Sequence, residues 1–439
     1  MTDSSAKLRV IIIGAGTGGL ALAHGLKQAG IAVCVYERDR TPREDSGGFR
    51  VGISPAGSRF IKALVPPSVY ELYVATCARA PRYFNMLTEQ GSELLCLAIE
   101  GEAASAMDGE KNVIRRTLRR VLLTGLDDQV IFGKRFMAFD SNCDGSVTAH
   151  FEDGTCASAD VLIGADGAGS RVRKQRLPQA QHRETGIVSI GGKLPMSPQS
   201  RALLSDKMYY GMSMIMAPRG VGAVIHSIEF SPGRAIPDFA ARWPGFESTI
   251  AEDSFGWGLW AARQNVPRDP HGLQPQDQLQ LARELTRHWH PNLRQLIDLT
   301  DLTTLQSINI RTSVPVAPWE SSNVTLLGDA IHTMTPGRGA GANTALRDAV
   351  LLCQTLTEVQ RGLIPLLPAI HRYEAEMLRY STEAVIESRK QMNASDLIHR
   401  PLIGGIQLAG MRTVMRLINA MPPVKRQILR RIMRVRGEN

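Results

Sequence analysis

Two glycine-rich turns, more than 300 residues apart, carry the residue types best suited to hold an anion. The first is Gly14-x-Gly16-x-x-Gly19 in "VIIIGAGTGGLALAHGL", followed by Glu37. Gly14 permits a tight turn, Gly16 lets a pyrophosphate approach the backbone, and Gly19 lets a helix pack on a sheet. The phosphates of a dinucleotide would sit at the helix N-terminus, where free N–H groups and the dipole favour negative charge. Glu37 would accept hydrogen bonds from ribose hydroxyls and repel a 2′-phosphate, so the tightly held nucleotide should not be NADP. The motif by itself does not separate NAD from FAD. The second turn is "LLGDAIHTMTPGRGAGANTALRDA", residues 326 to 349. Here Asp329 could bind a polyol hydroxyl. Gly337, Gly339 and Gly341 bare the backbone N–H groups at the start of another helix, which points at something that needs stabilising as an anion. A reduced flavin, with charge on N1 and the C2 carbonyl, is such a group. One turn would hold the phosphates of a long cofactor and the other its redox ring. Between them, "ADVLIGADGAGSRVRK" ends a buried strand at Asp166-Gly167, with Asp166 readable as a helix cap.

These turns need elements to position them. Leu8 to Ile13 is a short apolar run that predicts a buried parallel strand, Gly18 to Ala29 a helix stopped by Gly30, and Ala32 to Glu37 a second strand. Residues 146 to 165 predict a hairpin turning at Asp153-Gly154 and then a buried strand. Several strand-like runs between about 183 and 260 predict a mainly antiparallel block, and 276–297 reads as helical. Asn323 to Leu327 is a buried strand again, and the chain after Asn343 is mostly helical. Leu346, Ala349, Val350 and Cys353 recur at three and four residues, so their helix packs on the sheet.

With 439 residues, 43% of them hydrophobic and 21% charged, the chain has the composition of a globular protein of two or three domains. The six cysteines are scattered without a CxxC pair, which suits reduced thiols better than disulfides or zinc. From Pro401 onward there are eight Lys or Arg against one acid, which is +7 of the net +9. The body is therefore nearly neutral, and no basic face with interleaved aromatics marks a nucleic-acid partner. The first apolar run leads straight into a glycine motif instead of a signal cleavage site, so a cytoplasmic protein is expected.

Taken together, the motifs resemble the para-hydroxybenzoate hydroxylase-like flavoprotein monooxygenases, the FAD-dependent aromatic hydroxylases. Asp166-Gly167 matches the family's "DG" motif. Gly328-Asp329 matches its "GD" motif, followed by His332, Pro336, Gly339, Gly341, Ala342 and Asn343. "VIRRTLRRVLLTGL" resembles the segment with a flavin-contacting arginine, here Arg115, and Gly48 and Arg50 lie where a second flavin-contacting loop should be. Ala340 replaces a frequent Gln, and the tryptophan motif of flavin halogenases is absent. The resemblance implies an α/β fold: a Rossmann-like FAD-binding domain with an inserted, mainly antiparallel substrate domain and a C-terminal helical region. It divides the chain into FAD-binding parts at 1–80, 106–180 and 306–370, substrate-domain parts at 81–105 and 181–305, and a helical region at 371–439 with a basic tail. The implied cofactor-binding set is Gly14, Gly16, Gly19, Glu37, Arg38, Gly48, Arg50, Arg115, Asp166, Asp329, Gly339, Gly341, Ala342 and Asn343. His332 and Pro336 would lie beside the flavin, with no protein nucleophile and no metal. NADPH or NADH would bind transiently as co-substrate and reduce the flavin. O2 would then form a C4a-hydroperoxyflavin that passes one oxygen to a small apolar molecule of secondary metabolism. Arg171 and Arg173 hint at NADPH.

The implied substrate wall is "KMYYGMSMIMAP". Read as a strand, it places Met208, Tyr210, Met212, Met214 and Met216 on one face. Methionines suit a large apolar ligand, and they also suit a face packed on a core. Tyr210, Met212 and Met214 are the candidate substrate residues, and a polycyclic or polyketide-like substrate follows from the first reading. "VKRQILRRIMRVR" near the end reads as a basic amphipathic helix, either docked with a solvated basic face or in weak contact with a membrane surface. Competing functions on the same fold are a reductase or cyclase like the geranylgeranyl reductases and a non-catalytic flavin-binding regulator.

Overall fold

The computed structural model describes residues 7–42, 50–99, 110–230, 236–246, 253–390 and 392–435. The chain divides into two compact units. One comprises Met1–Ala75, Ile114–Arg183 and Arg311–Gln391, and the other Thr76–Val113, Glu184–Ile310 and Met392–Asn439. The helical region after 371 is thus not a unit of its own, since it changes unit after Gln391.

The first unit is built on β1 (Arg9–Ile13), α1 (Thr17–Gln28), β2 (Ala32–Tyr36), α2 (Arg115–Leu123), β3 (Val130–Ile131), β4 (Val161–Gly164), α3 (Arg171–Arg176), β5 (Val324–Leu326), α4 (Asp329–His332), α5 (Gly341–Gln360) and α6 (Leu366–Arg389). The five strands form a parallel sheet in the order β5-β4-β1-β2-β3. Apolar runs such as "VLIG", buried at all four positions, make these strands because a parallel sheet is covered on both faces. The carboxyl ends of β1, β4 and β5 lie together, so all three acid or glycine turns leave one edge. The closeness is tight: a Cβ on Gly14 would stand 2.5 Å from the Ala165 carbonyl oxygen.

α1 and α5 pack side by side through small residues. A Cβ on Gly18 would meet that of Ala345 at 3.3 Å, and one on Gly25 would meet the Cys353 sulfur at 2.7 Å. Residue numbers rise together along both helices, so the helices run in the same direction and their N-termini share an end. α6 supports the sheet from below, its Tyr373 hydroxyl donating to the Leu326 carbonyl at 2.9 Å.

The second unit carries a seven-stranded sheet. Its order is Gln306–Ser313, His182–Pro195, Ser254–Ala262, Gly222–Ile228, Gly211–Met216, Tyr83–Thr88 and Glu93–Ala98. The central pairings are antiparallel except that between Gly211–Met216 and Tyr83–Thr88. Helices Pro275–Leu285 and Pro291–Asp298 join a core with Ile215, Ile225, Phe255, Trp257 and Leu259 from one sheet face. The other face of the strand carries Met212, Met214 and Met216, all half-buried.

The methionine row is shorter than the period-two reading expects. Met208 lies in a one-turn helix, Asp206–Tyr209, capped by the Ser205 hydroxyl, and its side chain joins the core. Tyr210 closes that helix and is not on the strand. Its ring packs under the guanidinium groups of Arg79, at 4.7 Å, and Arg82, at 5.1 Å. Tyr210 is thus off the strand face that carries Met212 and Met214.

Candidate active site

The site of the first unit starts at the N-terminus of α1. Its N-cap is Gly16, which supplies no side-chain hydrogen bond, and a Cβ there would meet nothing within 4 Å. Gly19, by contrast, is buried in the packing: its Cβ would collide with the Gly14 carbonyl oxygen at 2.4 Å. One glycine therefore keeps space open, and the other closes the helix onto the sheet.

Glu37 is 7% exposed. Its carboxylate accepts from the Ala15 N–H at 2.7 Å and from the Asp39 N–H at 3.0 Å. Arg119 lies beside it, 3.4 Å from the carboxylate. Arg119 also donates to the Ala15 carbonyl at 3.0 Å and to Asp39 at 2.7 Å. The residue thus braces both the glycine turn and the acid after β2. The sequence reading passed over it for Arg115, one helical turn earlier. Helical spacing carried the signal, because Arg119 lies three residues before the fully buried Leu122 and so shares its face. Arg115 starts α2 and is exposed, yet its charge reaches Asp329. Arg38 is exposed, Arg50 begins the strand Arg50–Ile53, and Gly48 lies outside the described residues.

Asp166 caps α3. It accepts from the Ser170 hydroxyl at 2.5 Å and from the Arg171 N–H at 2.7 Å. Burial nonetheless pushes its carboxyl above the usual carboxylate range. Arg173 is 4% exposed and donates to the carbonyls of Ala168, at 3.1 Å, and Ala330, at 2.9 Å. It ties the turn after β4 to the turn after β5 and is spent there. Arg173 therefore lends nothing to a choice of NADPH.

Gly328, at φ 62°, turns the chain from β5 into α4. Asp329 then faces the start of α5, its carboxylate 3.7 Å from where a Gly341 Cβ would be. No hydrogen-bond donor reaches that carboxylate among the described residues. Burial pushes it above the ordinary range, with His332 and Arg115 pulling the other way. An acid in that position lacks a donor, which the hydroxyls of a polyol could supply. α5 itself begins without a side-chain cap. No atom lies within 4 Å of a Cβ built on Gly339, and Pro336 is exposed on the turn before it. Asn343 is occupied by the protein. It accepts from the Ser54 N–H at 2.9 Å and donates to the carbonyls of Gly52, at 3.1 Å, and Gly339, at 2.9 Å. Asn343 therefore clamps the strand Arg50–Ile53 to the glycine turn, and Ala342 follows the helix start beside it.

His332 is 3% exposed, and its Nε2 lies 2.6 Å from the Asp348 carboxylate. Asp348 also accepts from the Gly328 N–H at 2.8 Å and the Tyr380 hydroxyl at 2.5 Å. Burial opposes a charge on His332, but Asp348 outweighs it and holds the imidazole above its ordinary range. This network fixes the turn from behind. Sequence reasoning missed Asp348, although its place on α5 was readable, three residues after Ala345 and four before Leu352, both buried.

The residues fit a long anionic cofactor. Two uncapped helix starts open at one end of the unit, and a half-buried acid there lacks a donor. Comparison with known proteins agrees. The FAD binding domain family matches residues 7–53 and 257–387. A dual O-methyltransferase/FAD-dependent monooxygenase of Cercospora beticola is 32% identical over 86% of this chain, which spans about 45% of that protein's length. Klebsiella pneumoniae HpxO, solved with FAD and uric acid, is 25% identical with a TM-score of 0.72, over 95% of this chain and 96% of its own. A Photorhabdus luminescens structure, provisionally described as an FAD-containing monooxygenase, is 30% identical with a TM-score of 0.75, over 88% of this chain and 98% of its own. Identity of that extent reaches beyond a shared fold, and the chain belongs to the FAD-dependent monooxygenases of the aromatic hydroxylase type.

Proposed function

We propose that this protein is an FAD-dependent monooxygenase that consumes NAD(P)H and O2 and places one oxygen atom in an apolar aromatic or polyketide-like small molecule. The observation that supports it most is the pair of parallel helices whose bare N-termini open at the same end. FAD held there would supply a ring that a nicotinamide reduces and from which one atom of O2 reaches the substrate. The rest is done by this chain. The α1 start binds the pyrophosphate, with Gly16 leaving it room. Asp329 orients the cofactor by accepting from a hydroxyl. The α5 start, with Arg115 nearby, stabilises negative charge at its open end. His332 and Asp348 hold the turn in place without touching the reacting atoms.

One face of the second unit supports this substrate class. Strand pairing sets Met212 opposite Phe84 and His226, and Met214 opposite Met86 and Val224. A row this apolar and adaptable suits a ring system less polar than the uric acid of the Klebsiella complex. Replacing Met212 and Met214 together with Ala is expected to raise KM for such a substrate about tenfold with the fold intact, by loss of apolar contact. Unchanged affinity would remove these residues from the wall.

The central test is spectroscopic. The purified protein should show flavin bands at roughly 370 and 450 nm, and NADPH or NADH should bleach them without oxygen. O2 uptake should then depend on substrate. A colourless protein that FAD cannot reconstitute would overturn the reading, and so would bound flavin that no nicotinamide reduces.

A further inference from the structure

Apolar side chains are left open at one place in the second unit that the oxidation chemistry does not use. Among the described residues, eight of the fourteen exposed large hydrophobics lie between Leu397 and Ile432. Most belong to the helix Ile403–Asn419 and its ends. The inward side of this helix is well held. Gly404 and Leu408 are buried, Arg412 pairs with Glu89, and Asn419 accepts from the Cys96 N–H at 3.0 Å and donates to Glu93 at 2.9 Å. Its outward side should then be polar. Instead it carries Ile406, Val414 and Leu417, exposed by 76%, 54% and 60%, and Met421, 51% exposed, follows just past its C-cap. Spacings of eight and three residues put Ile406, Val414 and Leu417 on one stripe, opposite the line through Gly404 and Leu408.

Charge says what covers this stripe. No Asp or Glu occurs from Arg400 to Val435. Arg416 is exposed on the helix itself, and Arg426, Arg430 and Arg431 are exposed on the following helix, Pro422–Val435. A second copy of the chain would bring positive charge against positive charge. No helix among the described residues is long and apolar enough to cross a membrane. Apolar residues turned outward and flanked by arginines are the pattern of a helix lying in the headgroup region of a bilayer, its apolar side sunk about 5–10 Å. We propose that Ile403–Asn419, with the basic helix after it, is a docking surface for an anionic lipid bilayer. This goes beyond the weak contact that the basic segment suggests by itself, because the apolar half of the surface sits on the preceding helix.

The test uses the full chain and two kinds of vesicle, phosphatidylcholine alone and an equal mixture with phosphatidylserine. The protein should sediment with the mixed vesicles and not with phosphatidylcholine, and rising salt should release it. The double substitution Ile406→Glu/Leu417→Glu should lower partitioning about tenfold or more, and Arg426→Glu/Arg430→Glu by a similar factor. All four sites are exposed, so circular dichroism and Tm should match the parent. A parent chain that stays in solution with the mixed vesicles at low salt overturns the proposal. So does a double variant that sediments as the parent does. A parent dimer in sedimentation velocity that Ile406→Glu/Leu417→Glu dissociates, without vesicle binding, would assign the face to a second copy and overturn it too.

Discussion

Gly16→Val is expected to give a chain that folds as the parent does and does not retain FAD. The backbone at Gly16, φ −85° and ψ −178°, is one that any residue adopts, and a Cβ there meets no protein atom within 4 Å. The fold therefore does not need glycine at this position. A branched side chain would instead fill the space in front of the α1 start, where the pyrophosphate would approach the N–H groups. Loss of that approach should weaken FAD on the order of a hundredfold, about 3 kcal/mol. Gly14→Ala should behave in the opposite way. Its φ of 108° is strained for any side chain, and the new Cβ would press on the Ala165 carbonyl oxygen at 2.5 Å. That variant should lose about 3 kcal/mol or more of fold stability. Measuring Tm of the flavin-free proteins beside FAD affinity separates the two glycines. A Gly16→Val chain that binds FAD as tightly as the parent would place the pyrophosphate elsewhere.

The second large effect is expected at Asp348. Asp348→Ala leaves the His332 ring, the Gly328 N–H and the Tyr380 hydroxyl without their shared acceptor, all behind the turn that presents Asp329. Breaking a buried pair this way costs about 3–5 kcal/mol, readable as a lower midpoint in urea. Asp348→Asn should cost less, because an amide oxygen can still accept. It should also change the pH dependence. In the parent, Asp348 holds His332 above its ordinary value. The stability from this pair is then fully present below about pH 6.5, the unfolded value, and is lost as pH rises through the folded value. In Asp348→Asn that loss should vanish, leaving a flatter profile above neutrality. An unchanged profile would mean that the pair stays neutral throughout.

The glycine turns were legible in the sequence because their signals are local. Gly14, Gly16 and Gly19 follow an apolar run and open a helix, and Gly328-Asp329 repeats the grammar. What those turns lean on was not legible. Arg173 reaches Ala330 across 157 residues, and Arg119 reaches Ala15 across 104. No spacing rule connects such pairs until the sheet has set its turns side by side. Asp348 was half legible, its helix face readable and its three partners not. The misreading of Met208 and Tyr210 has a different cause. Alternation at a period of two ran straight through a one-turn helix too short to show its own period, and only Ser205, as a cap, marked the break.

The side-by-side course of α1 and α5 bears on how much of this protein a cell can keep. Two helices abreast in the same direction set their positive ends together, a repulsion that the carboxylates of Glu37 and Asp329 offset only in part and that a negative group bound there relieves further. The cofactor is thus a folding ligand as well as a reagent. Free FAD at a hundred times its Kd adds about 2.7 kcal/mol to the folded state. When flavin is scarce, newly made chains spend longer open to proteases, so the abundance of the enzyme would follow the riboflavin supply even with its transcript constant.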